Sequence, residues 1–220
     1  GAGRSEAAET IFGLRKISSG EMLLDGKVEH IHSSHDAVVE GIALVPEDRK
    51  DQGLILGMNC RDNMTLAGLN TVSSKGFMKA AAEKRVYDKY QQAMKIKTPS
   101  WRQKVGNLSG GNQQKIVIGK WLHTHPKLLI LDEPTRGIDV GSKAEIHALI
   151  KELARTGYAV LVISSEMPEV LGVSNRIVAM YDGRVTAEFD GDAVSEDVLV
   201  QAITGQVVAS ADAPVDRPVA

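Results

Sequence analysis

Leu128-Leu129-Ile130-Leu131-Asp132-Glu133-Pro134-Thr135 is the stretch on which the fold turns. Its aliphatic run is strand-sized, and a continuous run, rather than an alternating one, belongs to a strand covered on both faces. A second such run, Ala159 to Ile163, follows downstream. Between them a helical pattern puts Ile146, Leu149, Ile150 and Leu153 on one face, with Ser142 and Glu145 in capping-box spacing at its start. Strand, helix, strand in that order is a parallel crossover, so the expected class is α/β with a mostly parallel sheet.

The same strand delivers two adjacent carboxylates at its C-terminal end, where α/β folds place ligands. An acid pair there suits a magnesium nucleotide. Asp132 can hold the metal directly or through water, and Glu133 can orient and deprotonate an attacking water. A strand that simply ends in an exposed Asp-Glu turn is the plainer alternative.

Upstream, Gly1-Ala2-Gly3-Arg4-Ser5-Glu6 reads as a glycine-rich loop running into a helix with Ile11, Leu14 and Ile17 on one side. A hairpin is expected over Glu21 to His30 around Asp25-Gly26, then a strand at Ile42 to Val45. Phe77 to Met94 reads as one amphipathic helix, ended by Thr98-Pro99, and another helix opens at Ser109-Gly110-Gly111. Downstream, Arg176 to Tyr181 and Arg184 to Phe189 form a hairpin around Asp182-Gly183, and Ser195 caps a last short helix. Beyond Gly205 periodicity is lost, and residues 206–220 are expected to be a disordered tail. There is no internal repeat.

The chain has 220 residues, 43% of them hydrophobic, which is enough for a real core. Lys plus Arg number 26 against 28 Asp plus Glu, so no electrostatic footprint for nucleic acid is present and no nucleic-acid partner is expected. The apolar runs fall far short of the roughly 20 residues that span a bilayer. The single cysteine, Cys60, excludes an internal disulfide, and a reducing cytosol is the expected compartment.

Leu108-Ser109-Gly110-Gly111-Asn112-Gln113-Gln114-Lys115 is the most specific signal. A serine and two glycines at a helix start leave backbone N–H groups and a hydroxyl exposed to a phosphate at the positive end of the helix dipole. Here the sequence resembles the signature motif of the ATP-binding cassette family. Gly137-Ile138-Asp139, beyond the LLILDEPT strand, resembles that family's D-loop, and the resemblance adds Asp139 to the nucleotide contacts. It covers the chain from Gly1 to about Gly205, as one P-loop NTPase-like nucleotide-binding domain with small antiparallel hairpins and a helical subdomain from about Asn59 to Gly106. Pro46-Glu47-Asp48-Arg49-Lys50 and Arg136-Gly137-Ile138-Asp139-Val140-Gly141 narrow it to the second cassette of the tandem ATPases that drive ribose, xylose and galactose-type importers.

Such a resemblance implies ATP and Mg2+ as cofactors and coupling of ATP binding and hydrolysis to monosaccharide import. The implied partners are a second nucleotide-binding domain, transmembrane permease subunits and, indirectly, a periplasmic or extracellular sugar-binding protein. The implied location is the cytoplasmic face of the membrane. Gly1, Ala2, Gly3, Arg4, Ser5 and Glu6 take the place of the phosphate-binding loop, Ser5 supplying the magnesium hydroxyl together with Asp132.

Four positions depart from the family pattern. Arg4 stands for the loop lysine, and a planar fork does not simply replace an ammonium. Glu6 stands where another hydroxyl is usual and competes with the nucleotide for the helix dipole. Glu47 replaces the Q-loop glutamine, and Ser165 the switch histidine, leaving no imidazole to titrate. All four belong to one half of a site, whereas Ser109, Gly110 and Gly111 serve the site across the family's head-to-tail dimer. A poor own site and a good shared one are therefore expected, with weak ATP binding by the isolated chain. The sequence also starts inside the loop, as a fragment of a tandem protein or a truncated start would. The histidines at 30, 32 and 35 read as a polar loop rather than a metal site, His123 and His125 as helix-end residues, and Trp101 and Trp121 as packing residues.

Overall fold

Backbone pairing in the computed structural model, which describes residues 2–191 and 193–206, divides the chain into two units. Residues up to Ala37 and from Ser164 onward form one, and Val38 to Ile163 the other.

The first unit opens with helix α1 (Arg4–Ile11), led by Gly3 in the left-handed region at φ 85°. The sequence pattern extends this helix to Ile17, but it stops at Ile11. Gly13 turns at φ 75°, and the Gly13 and Leu14 N–H groups bond back to Thr10 O (3.0 Å) and Glu9 O (2.8 Å). This is the Schellman arrangement that a glycine permits. Leu14 is left 58% exposed. Strands β1 (Met22–Leu24) and β2 (Lys27–Glu29) pair antiparallel around Asp25 and Gly26, both at positive φ, as the Asp-Gly turn requires. Helix α2 (Ser34–Val39) follows.

In the second unit, β3 (Ile42–Val45) is buried throughout. A π-helical turn, Arg49–Gly53, comes next, with Asp48 Oδ1 accepting from the Lys50 and Asp51 N–H groups. Helices α3 (Cys60–Thr65) and α4 (Leu69–Val72) precede a hairpin of β4 (Ser73–Ser74) and β5 (Phe77–Met78), and then α5 (Ala80–Ala93). The single helix expected from Phe77 thus begins three residues late. Lys75 and Gly76 at φ 51° and 82° turn the chain back, and this leaves Phe77 79% exposed on a strand. The ends of the 59–106 stretch meet: Asn59 bridges Lys104, the Cys60 N–H donates to Gln103 O at 2.9 Å and the Val105 N–H to Met58 O at 3.0 Å. Trp101 packs between the guanidinium groups of Arg61 and Arg102, 4.4 and 4.6 Å from its ring centroid. Cys60 is a buried free thiol.

Helix α6 (Gly110–Leu122) is followed by β6 (Leu128–Asp132), α7 (Val140–Arg155) and β7 (Ala159–Ile163). The sheet order is β3-β6-β7, all parallel, with β6 central and Leu129 to Asp132 buried. The strand-helix-strand reading is the crossover seen here. Helix α7 is not opened by a Ser142–Glu145 box: Asp139 is the N-cap, accepting from the Ser142 N–H at 2.9 Å, and Glu145 turns to Lys115 instead. His123 is the C-cap of α6 by position, as expected, but its ring does not stay at the helix end facing solvent. It is buried, with Nε2 at 2.8 Å from the Thr71 hydroxyl.

The remainder of the first unit comprises α8 (Met167–Val173), the antiparallel pair β8 (Arg176–Tyr181) and β9 (Arg184–Asp190), and α9 (Glu196–Ile203). Ile177, Ala179, Leu199 and Ala202 form its core. Ser195 is the N-cap of α9 by position, without a side-chain bond. The expected tail, from residue 207 on, lies outside the described residues.

Helix α6 buries a lysine. Lys120, 7% exposed, donates to Gly53 O at 2.7 Å, and desolvation pushes its pKa down to about 8. A lysine depressed from 10.5 in the fold binds fewer protons than in the unfolded chain between those values, so its contribution to stability rises with pH in that window. Denaturant titrations should show Lys120→Met losing ground to wild type by on the order of 2 kcal/mol between about pH 7.5 and about pH 10. A gap constant with pH would show that Lys120 stays charged.

Candidate functional site

Strand β6 ends in Asp132, 6% exposed, and the chain then turns at once. Glu133 adopts a left-handed backbone at φ 47°, its N–H donating to Ile163 O at 2.8 Å and its carbonyl accepting from the Arg136 N–H at 3.1 Å. A non-glycine residue pays of order 1 kcal/mol or more in that region, and persists where its surroundings fix it, as these two bonds do. The kink separates the two acids: Asp132 belongs to the buried sheet and half-buried Glu133 to the turn. Carboxylate oxygens suit a hard divalent cation. Among the described residues no group of three or more His, Cys, Asp or Glu side chains could hold a metal. A magnesium ion at Asp132 would therefore need phosphate and water oxygens to complete its shell. His30 and His32 stack their rings at 6.3 Å in the polar loop.

Helix α6 starts at an exposed Ser109 that makes no side-chain cap bond to its own helix, the Ser109 hydroxyl accepting instead from Asn112 Nδ2 at 2.9 Å. Helix starts of this kind bind anions. The two glycines have different reasons. A Cβ on Gly110 would lie 2.8 Å from Arg49 Nη2 and 3.2 Å from Gly137 O, and one on Gly111 would lie 2.5 Å from the Ser142 side chain. Gly111 thus lets α6 and α7 touch, and that contact is reinforced by Lys115 Nζ on Glu145 Oε2 at 2.6 Å. Lys115 holds the Glu145 carboxyl below its ordinary range, and the Ser142 N–H does the same for Asp139.

Glu47 is ion-paired with Arg136. Arg49 donates from Nη1 to Arg136 O at 2.7 Å and from Nη2 to Gly137 O at 3.1 Å. These residues, with Asp48 and Lys50, line an open cleft of about 390 Å³. In the sequence Arg49 and Arg136 stand out only as parts of the segments that carry the resemblance, because carbonyl acceptors leave no trace in side-chain pattern.

Within the first unit, Gly3 sits against the β8–β9 turn: the Gly183 N–H donates to Ala2 O at 3.2 Å, and a Cβ on Gly3 would lie 3.2 Å from Gly183 Cα. Arg4 Nη1 donates to Ser164 O at 2.7 Å, one residue before exposed Ser165. Two of the four departures, Arg4 and Ser165, are therefore brought together. Ser5 is half-buried and Glu6 exposed in the first turn of α1, while Gly1 lies outside the described residues.

A family model for the ABC transporter matches residues 1–136. The ribose import ATP-binding protein RbsA 3 of Rhizobium etli is 49% identical over 205 residues, covering 93% of this chain and 40% of that protein. The ribose import ATP-binding protein RbsA of Halalkalibacterium halodurans is 45% identical, covering 93% and 41%. The chain thus spans about 40% of the length of these relatives. Among solved structures, the ATP-binding cassette MJ1267 of an ABC transporter superposes with a TM-score of 0.79 at 24% identity, over 94% of this chain and 84% of that one. A post-hydrolysis dimer of the cassette MJ0796, bound to ADP and phosphate, gives 0.72 at 22% identity, over 88% and 82%. At these identities the structures speak for the fold.

The Gly111–Ser142 contact is open to a direct test. Gly111→Ala should destabilise the chain by about 1–3 kcal/mol through overpacking, and adding Ser142→Gly should recover part of that loss. Chemical denaturation of the two variants measures both.

Proposed function

On the premise that this chain belongs to the ABC transporter family, we propose that it is an ATP-binding and ATP-hydrolysing module that drives import of a monosaccharide, in an asymmetric pair with a second nucleotide-binding domain. The observation that carries the reading is the start of α6, where Ser109 is exposed and Gly110 and Gly111 bring the helix close to its neighbours. The chain keeps this phosphate-binding feature while its own loop is altered. The names of its relatives support a pentose such as ribose as the cargo.

Asp132 and Ser5 would hold Mg2+, which when bound supplies charge neutralisation at the phosphates. Asp132 is held in place by burial at the C-terminal end of the central strand. Glu133, fixed by its backbone kink beside that acid, accepts the proton of the attacking water. Ala2, Gly3, Arg4 and Glu6 flank the phosphates as the loop. Arg4, with Nη1 already committed to Ser164 O, keeps its charge but is less free to reach them than a lysine would be. Ser165 orients without titrating. Ser109, Gly110, Gly111 and Asp139 serve the partner's nucleotide, their N–H and hydroxyl donors stabilising charge that develops on the γ-phosphate. The partners are the second cassette, membrane permease subunits and, through them, a sugar-binding protein outside. No described helix is long and apolar enough to cross a membrane, and a peripheral place on the cytoplasmic face fits this set of partners.

A non-hydrolytic partner half is the second reading, favoured by the Arg4–Ser164 bond and by the ion pair that occupies Glu47.

In the full-length transporter the two readings differ in whether Glu133→Gln lowers ATP turnover at all: it does so if this domain's own site hydrolyses and does not if the domain is a non-hydrolytic half. Ser109→Ala should lower ATP turnover and sugar uptake by about 10² to 10³ at equal expression, because transition-state donors are lost. Glu133→Gln should have a much smaller effect, since it removes a base from the weaker site. Activity abolished by Glu133→Gln and intact in Ser109→Ala would reverse the assignment.

A further inference from the structure

The π-helical turn Arg49–Gly53 is capped at its start by its own flanking residue and held at its end against α6. At its start, Asp48 Oδ1 accepts from the Lys50 and Asp51 N–H groups at 2.9 and 3.1 Å. At its end, Lys120 Nζ grips Gly53 O at 2.7 Å, and a Cβ on Gly53 would lie 3.2 Å from Val117 Cγ2. Val117 and Lys120 are both on α6. The turn therefore has little freedom, and it carries Arg49 to the other end of the same helix.

There the guanidinium lies between two motifs. Its two Nη atoms take successive carbonyls, Arg136 and Gly137, at 2.7 and 3.1 Å, and its buried Nε has no hydrogen-bond partner. Burial also lowers its pKa from the ordinary arginine value, though not enough to discharge a guanidinium. Those carbonyls close the turn that follows Glu133, in which the Ile138 N–H donates to Thr135 O at 3.2 Å. Gly137 is left-handed at φ 65°, and Asp139 then caps α7. Beside the Arg49–Gly137 bond stands Gly110, where any Cβ would lie 2.8 Å from Arg49 Nη2 and 3.2 Å from Gly137 O. The missing side chain of Gly110 is what admits the guanidinium beside the start of α6.

A second contact runs the other way. Glu47, two residues before Arg49, is ion-paired with the side chain of Arg136, whose carbonyl Arg49 holds. The partners are 39% and 65% exposed, and a pair that open to solvent contributes little to global stability. Its effect is on local geometry: two reciprocal contacts fix both the backbone and the side chain of one residue.

We propose that Arg49 is a positioning residue that clamps the carbonyls of Arg136 and Gly137 beside Gly110, and that Glu47 acts through Arg136 to close the same clamp. The clamp sets the spacing between Ser109–Gly110 and Ile138–Asp139, the two segments that the proposed function assigns to the partner's nucleotide; the inference rests on that reading. It also gives the Q-loop departure a reason, since a glutamine at 47 would be neutral and unable to pair with Arg136 as an ion.

The test uses the full-length tandem protein with its transporter, and two readouts. Arg49→Lys keeps the charge but loses the two-carbonyl fork. It should lower kcat for ATP by about 10- to 100-fold, as misplaced catalytic groups do, with KM for ATP changed by less than about twofold. Amide hydrogen exchange at Ile138 should be faster than in wild type. The charge swap Glu47→Arg with Arg136→Glu should recover activity lost in either single variant. The clamp is overturned by an unchanged exchange rate at Ile138 in Arg49→Lys, whatever the turnover does. It is also overturned by a rise in KM matching the loss of kcat/KM, which would make Arg49 a nucleotide ligand. Absence of ATP turnover in wild type would instead sink the proposed function, and hydrogen exchange would still decide the clamp.

Discussion

The burial of β6 between two parallel neighbours is the constraint on which the remaining structure depends. Leu129, Ile130 and Leu131 are fully buried, paired with β3 on one side and β7 on the other. A strand covered on both faces and both edges cannot shift register without exposing its apolar run, so its end point is fixed. That end point is Asp132, and the turn after it places Glu133, Arg136 and Gly137. Because α6, α7 and the Arg49 turn all meet that turn or the helices beside it, each inherits its position from the central strand.

Helix α6 shows a second economy. It buries Gln113, Gln114, Lys115 and Lys120, polar residues that normally face water. Three of them donate to acceptors within the fold: Lys115 to Glu145, Lys120 to Gly53 O and Gln113 to Val105 O at 3.3 Å. Leaving such a donor unmade inside the fold costs more than making it gains, so these bonds specify the packing of the helix more than they stabilise it. The helix is held along its length by directional contacts while its first residue, Ser109, stays exposed. Rigidity behind an exposed helix start is what the proposed role as a transition-state donor requires.

The altered positions also gain a physical account. Arg4 is tied to the carbonyl before Ser165, and Glu47 to Arg136. These two side chains each have a partner inside their own unit. An arginine fork on a carbonyl and a carboxylate in an ion pair have part of their bonding capacity already used.

What the sequence determined by itself was the periodic part. The runs at 42–45, 128–131 and 159–163 and the patterned faces of α5 and α7 follow from apolar spacing. Asp25-Gly26 and Asp182-Gly183 declared their hairpins because few dipeptides accept positive φ. Ser109-Gly110-Gly111 announced a helix start, and α6 opens there. Tertiary structure alone decided where competing local signals resolved. Ser142 and Glu145 have box spacing, yet Asp139 wins the cap because Glu145 finds a buried lysine across the helix contact. Leu14 and Ile17 have helical spacing, yet Gly13 ends the helix first. The contacts of Arg49 are to backbone carbonyls, which every residue possesses and no sequence pattern marks, so only the folded chain could bring them within reach of one guanidinium.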